Sequence, residues 1–322
     1  MQMKLSLVVP CFNEEGNIPL FYKAVQNDFK NAGFDYEIVF VNDGSRDGTL
    51  REMKKLLEGD IPVKIVNFSR NFGKESAMYA GLENAEGEFI TIIDADLQQS
   101  PALALEMVRS LESKPEFDCI AAYQESRGES KSLVFFKDNF YKLINKFADT
   151  EFRQGASDFR TFRRPMAEAI LGMDEYFRFS KGLFSWVGFK TKFIPYTAGK
   201  RATGETKWSF WKLVRYAFEG IFGFTTAPLR IATVAGGASL AGFLIYLIYI
   251  IIRCSAFKGV YTAANSAVLL LLAIGGIQLL CLGIIGEYLA RTYIQGKRRP
   301  IYIAKEIIKS KKYGEDTEVK NG

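Results

Sequence analysis

Five short apolar runs punctuate the first 122 residues: Leu5–Phe12, Tyr36–Val41, Val63–Phe68, Glu88–Ile93 and Phe117–Ala122. Between them, Ile18–Phe29, Thr49–Leu57, Lys74–Asn84 and Ala102–Leu111 carry apolar residues at helical spacing. Asp47, just before Gly48-Thr49, stands where an N-cap is expected, and Pro101 where a first helical residue is expected. Continuous apolar strands alternating with helices predict a largely parallel α/β sheet covered on both faces. Ligands of such sheets bind at the carboxyl ends of the strands. Three runs end there in polar residues: Pro10-Cys11-Phe12-Asn13, Asn42-Asp43-Gly44 and Asp94-Ala95-Asp96.

The pattern changes near residue 230. Ile231 to Ile252 is 22 residues, and Ser266 to Gly286 another 21, with no Asp, Glu, Lys or Arg. At ~1.5 Å per residue each is long enough for ~30 Å of hydrocarbon. Gly236, Gly237, Gly242, Gly275, Gly276 and Gly283 would let two such helices approach closely. The short link between them predicts a hairpin with both flanks on one side. Arg230, Arg291, Lys297, Arg298 and Arg299 outnumber Arg253 and Lys258 of the link, so the flanks are expected in the cytoplasm. The start of the chain shows no signal-peptide pattern. The expected division is a cytosolic α/β domain over 1–206, interfacial amphipathic helices over 207–229, two transmembrane helices within 230–290 (about 231–252 and 266–288) and a basic cytosolic tail over 291–322. Residues 301–322 read as a basic amphipathic helix with a frayed end. The small residues of the hairpin are compatible with a homo-oligomer.

Net charge sharpens this division. The total of +6 is −7 over residues 1–150, +7 over 151–230, +1 over 231–290 and +5 over 291–322. No nucleic-acid partner is expected, and an acidic front half meets a basic back half. Trp208, Phe210, Trp211, Tyr216, Phe218, Phe222 and Phe224 alternate with Lys207, Lys212 and Arg215, which suits helices lying in the membrane interface. The chain has no His, which excludes a Ser-His-Asp triad, a Cys-His dyad and a His-ligated zinc. Cys11, Cys119, Cys254 and Cys281 are dispersed and read as buried thiols.

Asp94 and Asp96 follow an apolar run, and positions i and i+2 of an extended chain point the same way. Two adjacent carboxylates repel unless a cation joins them. All-oxygen ligands suit Mg²⁺ or Mn²⁺, and Gln98 continues the same side. A solvated turn would also use Asp here.

With these motifs assembled, the sequence resembles a known family. Pro10-Cys11-Phe12-Asn13-Glu14-Glu15, Asn42-Asp43-Gly44-Ser45-Arg46-Asp47-Gly48-Thr49 and Asp94-Ala95-Asp96-Leu97-Gln98 look like the inverting family 2 glycosyltransferases. So do Ser157-Asp158-Phe159-Arg160, Arg178-Phe179-Ser180-Lys181-Gly182 and Gly204-Glu205-Thr206-Lys207-Trp208-Ser209. The closest subgroup is that of the dolichol-phosphate-mannose synthase-like and bactoprenol glucosyltransferase-like enzymes, and the resemblance runs over about residues 3–290.

The resemblance implies a GT-A fold and a UDP-sugar donor, glucose or N-acetylglucosamine. Pro10, Phe12, Glu14, Asp43 and Asp94 would contact the nucleotide. Asp94, Asp96 and Gln98 would hold Mg²⁺ or Mn²⁺. Asp158, with Asp96, would act at the reaction. The implied acceptor is undecaprenyl phosphate, held through Arg127 and Lys137. Relatives often carry another Arg near Gln124, where this chain has Gln124-Glu125, so Arg160, Arg163, Arg201 and Lys207 join the acceptor-phosphate candidates. Displacement with inversion would give a lipid-linked monosaccharide for cell-envelope glycosylation. A processive polysaccharide synthase would carry a Gln-x-x-Arg-Trp motif and more spans, and this chain has neither. A non-catalytic membrane scaffold would not need Asp94, Asp96, Gln98 and Asp158.

Overall fold

The structure is a computed structural model that describes residues 3–124, 156–197, 199, 227–256 and 263–313. The early apolar runs become β1 (Leu5–Cys11), β2 (Tyr36–Asn42), β3 (Val63–Phe68), β4 (Phe89–Ile92) and β5 (Cys119–Gln124). Helices α1 (Asn17–Asp28), α2 (Thr49–Lys55), α3 (Lys74–Asn84) and α4 (Pro101–Ser113) separate them. Pro101 opens α4, whose N-cap Ser100 accepts from the Ala102 amide at 3.2 Å. The Asp47 carboxylate accepts from the Thr49 amide at 3.0 Å, meeting an otherwise orphaned donor of α2.

Three further strands complete the sheet: β6 (Ala156–Arg163), β7 (Thr191–Tyr196) and β8 (Ala304–Lys309). The order is β7-β5-β6-β4-β1-β2-β3-β8. β6 and β8 run against their neighbours, whereas β1, β2, β3 and β4 are mutually parallel and β5 is parallel to β7. Two apolar layers explain the unbroken runs. Phe21, Val25, Met53, Met107 and Leu111 pack one face of the sheet. The other receives Ala77 and Met78 of α3, Met166 and Ile170 of α5 (Arg164–Leu171) and Phe184 of α6 (Ser180–Trp186). Cys11 and Cys119 are buried thiols, as expected.

From β1 the chain moves one way through β2 and β3, then returns so that β4 lies on the other side of β1. That reversal is a topological switch point, where the loops leaving β1 and β4 part and open a crevice.

Beyond the sheet lie α7 (Ala227–Ala256) and α8 (Ala263–Gly296), which pack on each other. The Cys281 thiol of α8 donates to the Ala232 carbonyl of α7 at 3.4 Å. Leu244, Ile245, Ile248, Leu271, Leu279 and Leu289 point outward, exposed. Among the described residues one stretch, Ala273–Gly296, is a helix long and apolar enough to cross a membrane; α7 contains the shorter apolar segment Ala232–Tyr246.

The tail corrects one expectation. Residues 304–309 form strand β8 rather than a helix. Ile307 pairs with Val66 and Ile308 with Ile65, so β8 covers the edge that β3 would otherwise expose. Tyr313 then donates to the fully buried Glu37, and Tyr302 stacks on Phe68 with ring centroids 4.9 Å apart.

Candidate active site

The chain leaves β4 through Ile93, whose amide donates to the Val8 carbonyl at 3.0 Å. The next amide, of Asp94, donates to the buried Gln99 side chain at 3.0 Å. Asp96 Oδ1 accepts from the Gln98 amide at 3.1 Å, and Leu97 between them takes φ 58°. This local turn fixes both carboxylates at the carboxyl end of β4. The Gly199 amide donates to the Gln98 carbonyl at 3.0 Å.

The first residue of α3 completes the centre. Lys74 Nζ lies 2.7 Å from Asp94 Oδ1 and 3.1 Å from Asp158 Oδ2, so one ammonium joins carboxylates from β4 and β6. Antiparallel pairing puts Arg160 opposite Ile92, which carries Asp158 to the same end of the sheet as Asp94. Burial works against the charge on Lys74, but Asp94 and Asp158 outweigh it and hold the lysine protonated well above its ordinary range. Burial alone would raise Asp158; Lys74, Lys181 and Arg160 overcome it and hold the acid at about 2. Asp158 is therefore a fixed anion at neutral pH and a very weak base. Its Oδ1 is buried with no hydrogen-bond partner among the described residues.

The loops after β1 and β2 are laced together. The Asn13 amide donates to Ser45 Oγ (3.0 Å), the Glu14 amide to Thr49 Oγ1 (2.8 Å) and the Arg46 amide to Asn13 Oδ1 (2.9 Å). Glu14 accepts from Asn17 Nδ2 at 2.6 Å, and Phe12 stands exposed beside this loop. The buried Asp43 carboxylate receives the Phe72 amide (2.6 Å) and the Gly73 amide (3.0 Å). Burial pushes Asp43 up to about 6, against the pull of those two amides. Asp43 thus anchors the turn that delivers Lys74, and Gly73 makes that turn at φ 99°. Gly44 is needed for another reason. A Cβ there would fall 2.4 Å from the Arg70 carbonyl carbon, and φ is 63°.

The structure therefore brings Pro10, Phe12, Glu14, Asp43, Asp94, Asp96, Gln98 and Asp158 to one end of the sheet. Arg160 is 5% exposed, two residues deeper on β6, with its guanidinium 4.1 Å from the Phe184 ring centroid. Arg163 lies at the far end of β6, donating to the Leu111 and Phe117 carbonyls at 2.7 and 3.3 Å. Arg127, Lys137, Arg201 and Lys207, and the interfacial helices expected over 207–229, lie outside the described residues. Sequence reasoning missed Lys74, Glu75 and the partnership of Lys181 with Asp158. A Gly-Lys-Glu sequence at the turn between an apolar run and a helix, Gly73-Lys74-Glu75, was the available signal.

All-oxygen donors at i and i+2 fit a hard divalent cation. Among the described residues no three or more of His, Cys, Asp and Glu gather into a cage.

Residues 6–171 match the model of glycosyl transferase family 2. The chain belongs to that family. The family 2 match spans β1 through α5 and so contains Asp94, Asp96 and Asp158. A prophage bactoprenol glucosyl transferase homolog of Escherichia coli (strain K12) is 39% identical over 308 residues, covering 95% of this chain and 100% of its own length. The bactoprenol glucosyl transferase of Shigella phage SfV is 38% identical over 94% of this chain and 98% of its own. This family 2 member is a glycosyltransferase with a mixed α/β sheet of GT-A-like arrangement.

Proposed function

We propose that this glycosyltransferase transfers a hexose, glucose or N-acetylglucosamine, from a UDP-sugar to undecaprenyl phosphate with inversion. The observation that carries the reading is the cluster at the switch point, where Lys74 joins Asp94 to Asp158. The bactoprenol transferases named above support the lipid acceptor. So does the fold: α8 ends against the sheet domain, and β8, just after it, joins the sheet, so the domain lies at the exit of an apolar helix. We place α7 and α8 in the membrane as a hairpin, with the sheet domain and tail on the cytoplasmic side.

Asp94, Asp96 and Gln98 would hold Mg²⁺ or Mn²⁺, which when bound neutralises charge on the diphosphate leaving group. The laced loops carrying Pro10, Phe12, Glu14 and Asp43 position the nucleotide. A phosphate monoester has its second pKa near ~6, so the acceptor oxygen arrives ionised and no strong base is required. Asp158, held at about 2, orients the surrounding cations instead of taking a proton. Arg127, Lys137, Arg201 and Lys207 are the proposed acceptor-phosphate contacts, with Arg160 supporting Asp158 from beneath. Catalysis is then positioning and electrostatics.

Chelation tests the metal assignment. In membranes holding the wild type, EDTA is expected to stop lipid labelling from a radiolabelled UDP-sugar, and Mg²⁺ or Mn²⁺ to restore it. Asp94→Ala and Asp96→Ala are expected to lose at least ~100-fold while remaining in the membrane. Full activity in either variant contradicts the site.

A further inference from the structure

One face of α3 carries Glu75, Tyr79 and Glu83 at intervals of four residues, and all three grip other parts of the chain. Glu75 Oε2 receives both donors of Ser180, the amide at 3.0 Å and the hydroxyl. The Tyr79 ring lies 4.6 Å from the Arg178 guanidinium, which also donates to the Met173 and Ile170 carbonyls at 2.8 and 3.0 Å. Glu83 receives the Tyr302 hydroxyl at 2.6 Å. The segment between α5 and α6 is held from its other side by the last turn of α8. There Gln295 donates to the Asp174 carbonyl and accepts from the Tyr176 amide at 2.8 Å. Residues 173–180 thus form a strap between the apolar helix and α3. The next residue, Lys181, is, after Lys74 and with Arg160, one of the cations whose charges lower Asp158.

We infer that Glu75 is a positioning residue for the transfer reaction: by holding both donors of Ser180 it fixes the first turn of α6, which carries Lys181. This rests on the function proposed above. Glu75 is an expensive anchor. Burial and the neighbouring Asp158 push it up to about 7, although the two Ser180 bonds and Lys74 pull it down. A neutral anchor would avoid that cost, and costly local choices of this kind cluster at functional sites.

The test uses the full-length enzyme in lipid nanodiscs, with UDP-sugar, undecaprenyl phosphate and Mg²⁺. Glu75→Ala is expected to lower kcat about tenfold to a hundredfold with little change in KM for the donor, because a displaced charge misaligns the reacting groups. Glu75→Gln, which still offers an acceptor to the amide and a donor to the hydroxyl, is expected to recover most of the loss. Lys181→Met should lose a similar factor, and combining it with Glu75→Ala should add less than about twofold, since both act through one ammonium. Losses that multiply in the double variant overturn the proposal. A second readout does not depend on catalysis: the rate of Lys181 acetylation by an amine-reactive reagent, mapped by mass spectrometry with Lys190 as reference. Glu75→Ala, or Ser180→Ala should the former fail to fold, is expected to acetylate Lys181 at least ~5-fold faster. An unchanged rate in a folded variant overturns the positioning role. If the wild type labels no lipid with any UDP-sugar, the proposed function fails, and the acetylation rates still decide the role of Glu75.

Discussion

Two carboxylates near the active site, Glu75 and Asp43, are held above their ordinary range, to about 7 and about 6. An acid whose folded pKa exceeds its unfolded value binds protons more tightly in the folded state. Its contribution to stability therefore falls as pH rises between the two values. For Glu75 that window runs from 4.5 to about 7. Glu75→Gln removes the slope while keeping a partner for each Ser180 donor. Thermal melts should find the Gln variant level with wild type near pH 5 and more stable at pH 8, by of order 1–3 kcal/mol. An advantage that shrinks with rising pH contradicts the assignment. Asp158 behaves oppositely: held at about 2, it stays ionised across the working range and contributes no acid limb to the pH–rate profile above about pH 4.

Strands packed on both faces are legible because their apolar runs are unbroken, and Lys74–Asn84 needs no revision as a helix. β6 is not legible in this way. It carries Asp158, Arg160 and Arg163, whose partners on α3, α4 and α6 no local pattern reveals. β8 fails for a related reason. The run around Ile307 and Ile308 is equally compatible with a helix face, and only pairing with β3, some 240 residues away, decides it. Asp94 and Asp96 were legible as a pair, whereas Lys74 between Asp94 and Asp158 was not, because its role depends on three elements meeting. The tail lock makes a separate prediction. Glu37 is fully buried, with Ser6 Oγ at 2.5 Å, the Glu86 amide at 2.6 Å and the Tyr313 hydroxyl as donors, and Lys64 as an ion-pair partner at 3.8 Å. Tyr313→Phe leaves that carboxylate one donor short and should cost about 1–3 kcal/mol in thermal or denaturant unfolding. An unchanged midpoint would show that the tail does not stabilise the sheet.

Across the whole molecule, the strap and β8 tie the end of α8 to the sheet, so the reaction centre is registered to the apolar helices rather than tethered loosely beside them. The acidic first half bears the proposed metal and nucleotide residues, and the chain from residue 151 onward is net basic. The proposed hairpin predicts opposite sidedness for two positions. In a chain whose four native cysteines are changed to Ser, a membrane-impermeant maleimide added to intact cells should label Lys258→Cys and spare Lys312→Cys. Labelling of both, or of the tail alone, contradicts the topology. Lipid glycosylation is tested most directly by mass spectrometry of the lipid extract. Purified enzyme given undecaprenyl phosphate, Mg²⁺ and either UDP-glucose or UDP-N-acetylglucosamine should convert the lipid to its hexosyl phosphodiester, and Asp94→Ala should not. Sugar recovered only in an insoluble polymer, or undecaprenyl phosphate left unmodified with every UDP-sugar offered, would contradict the account.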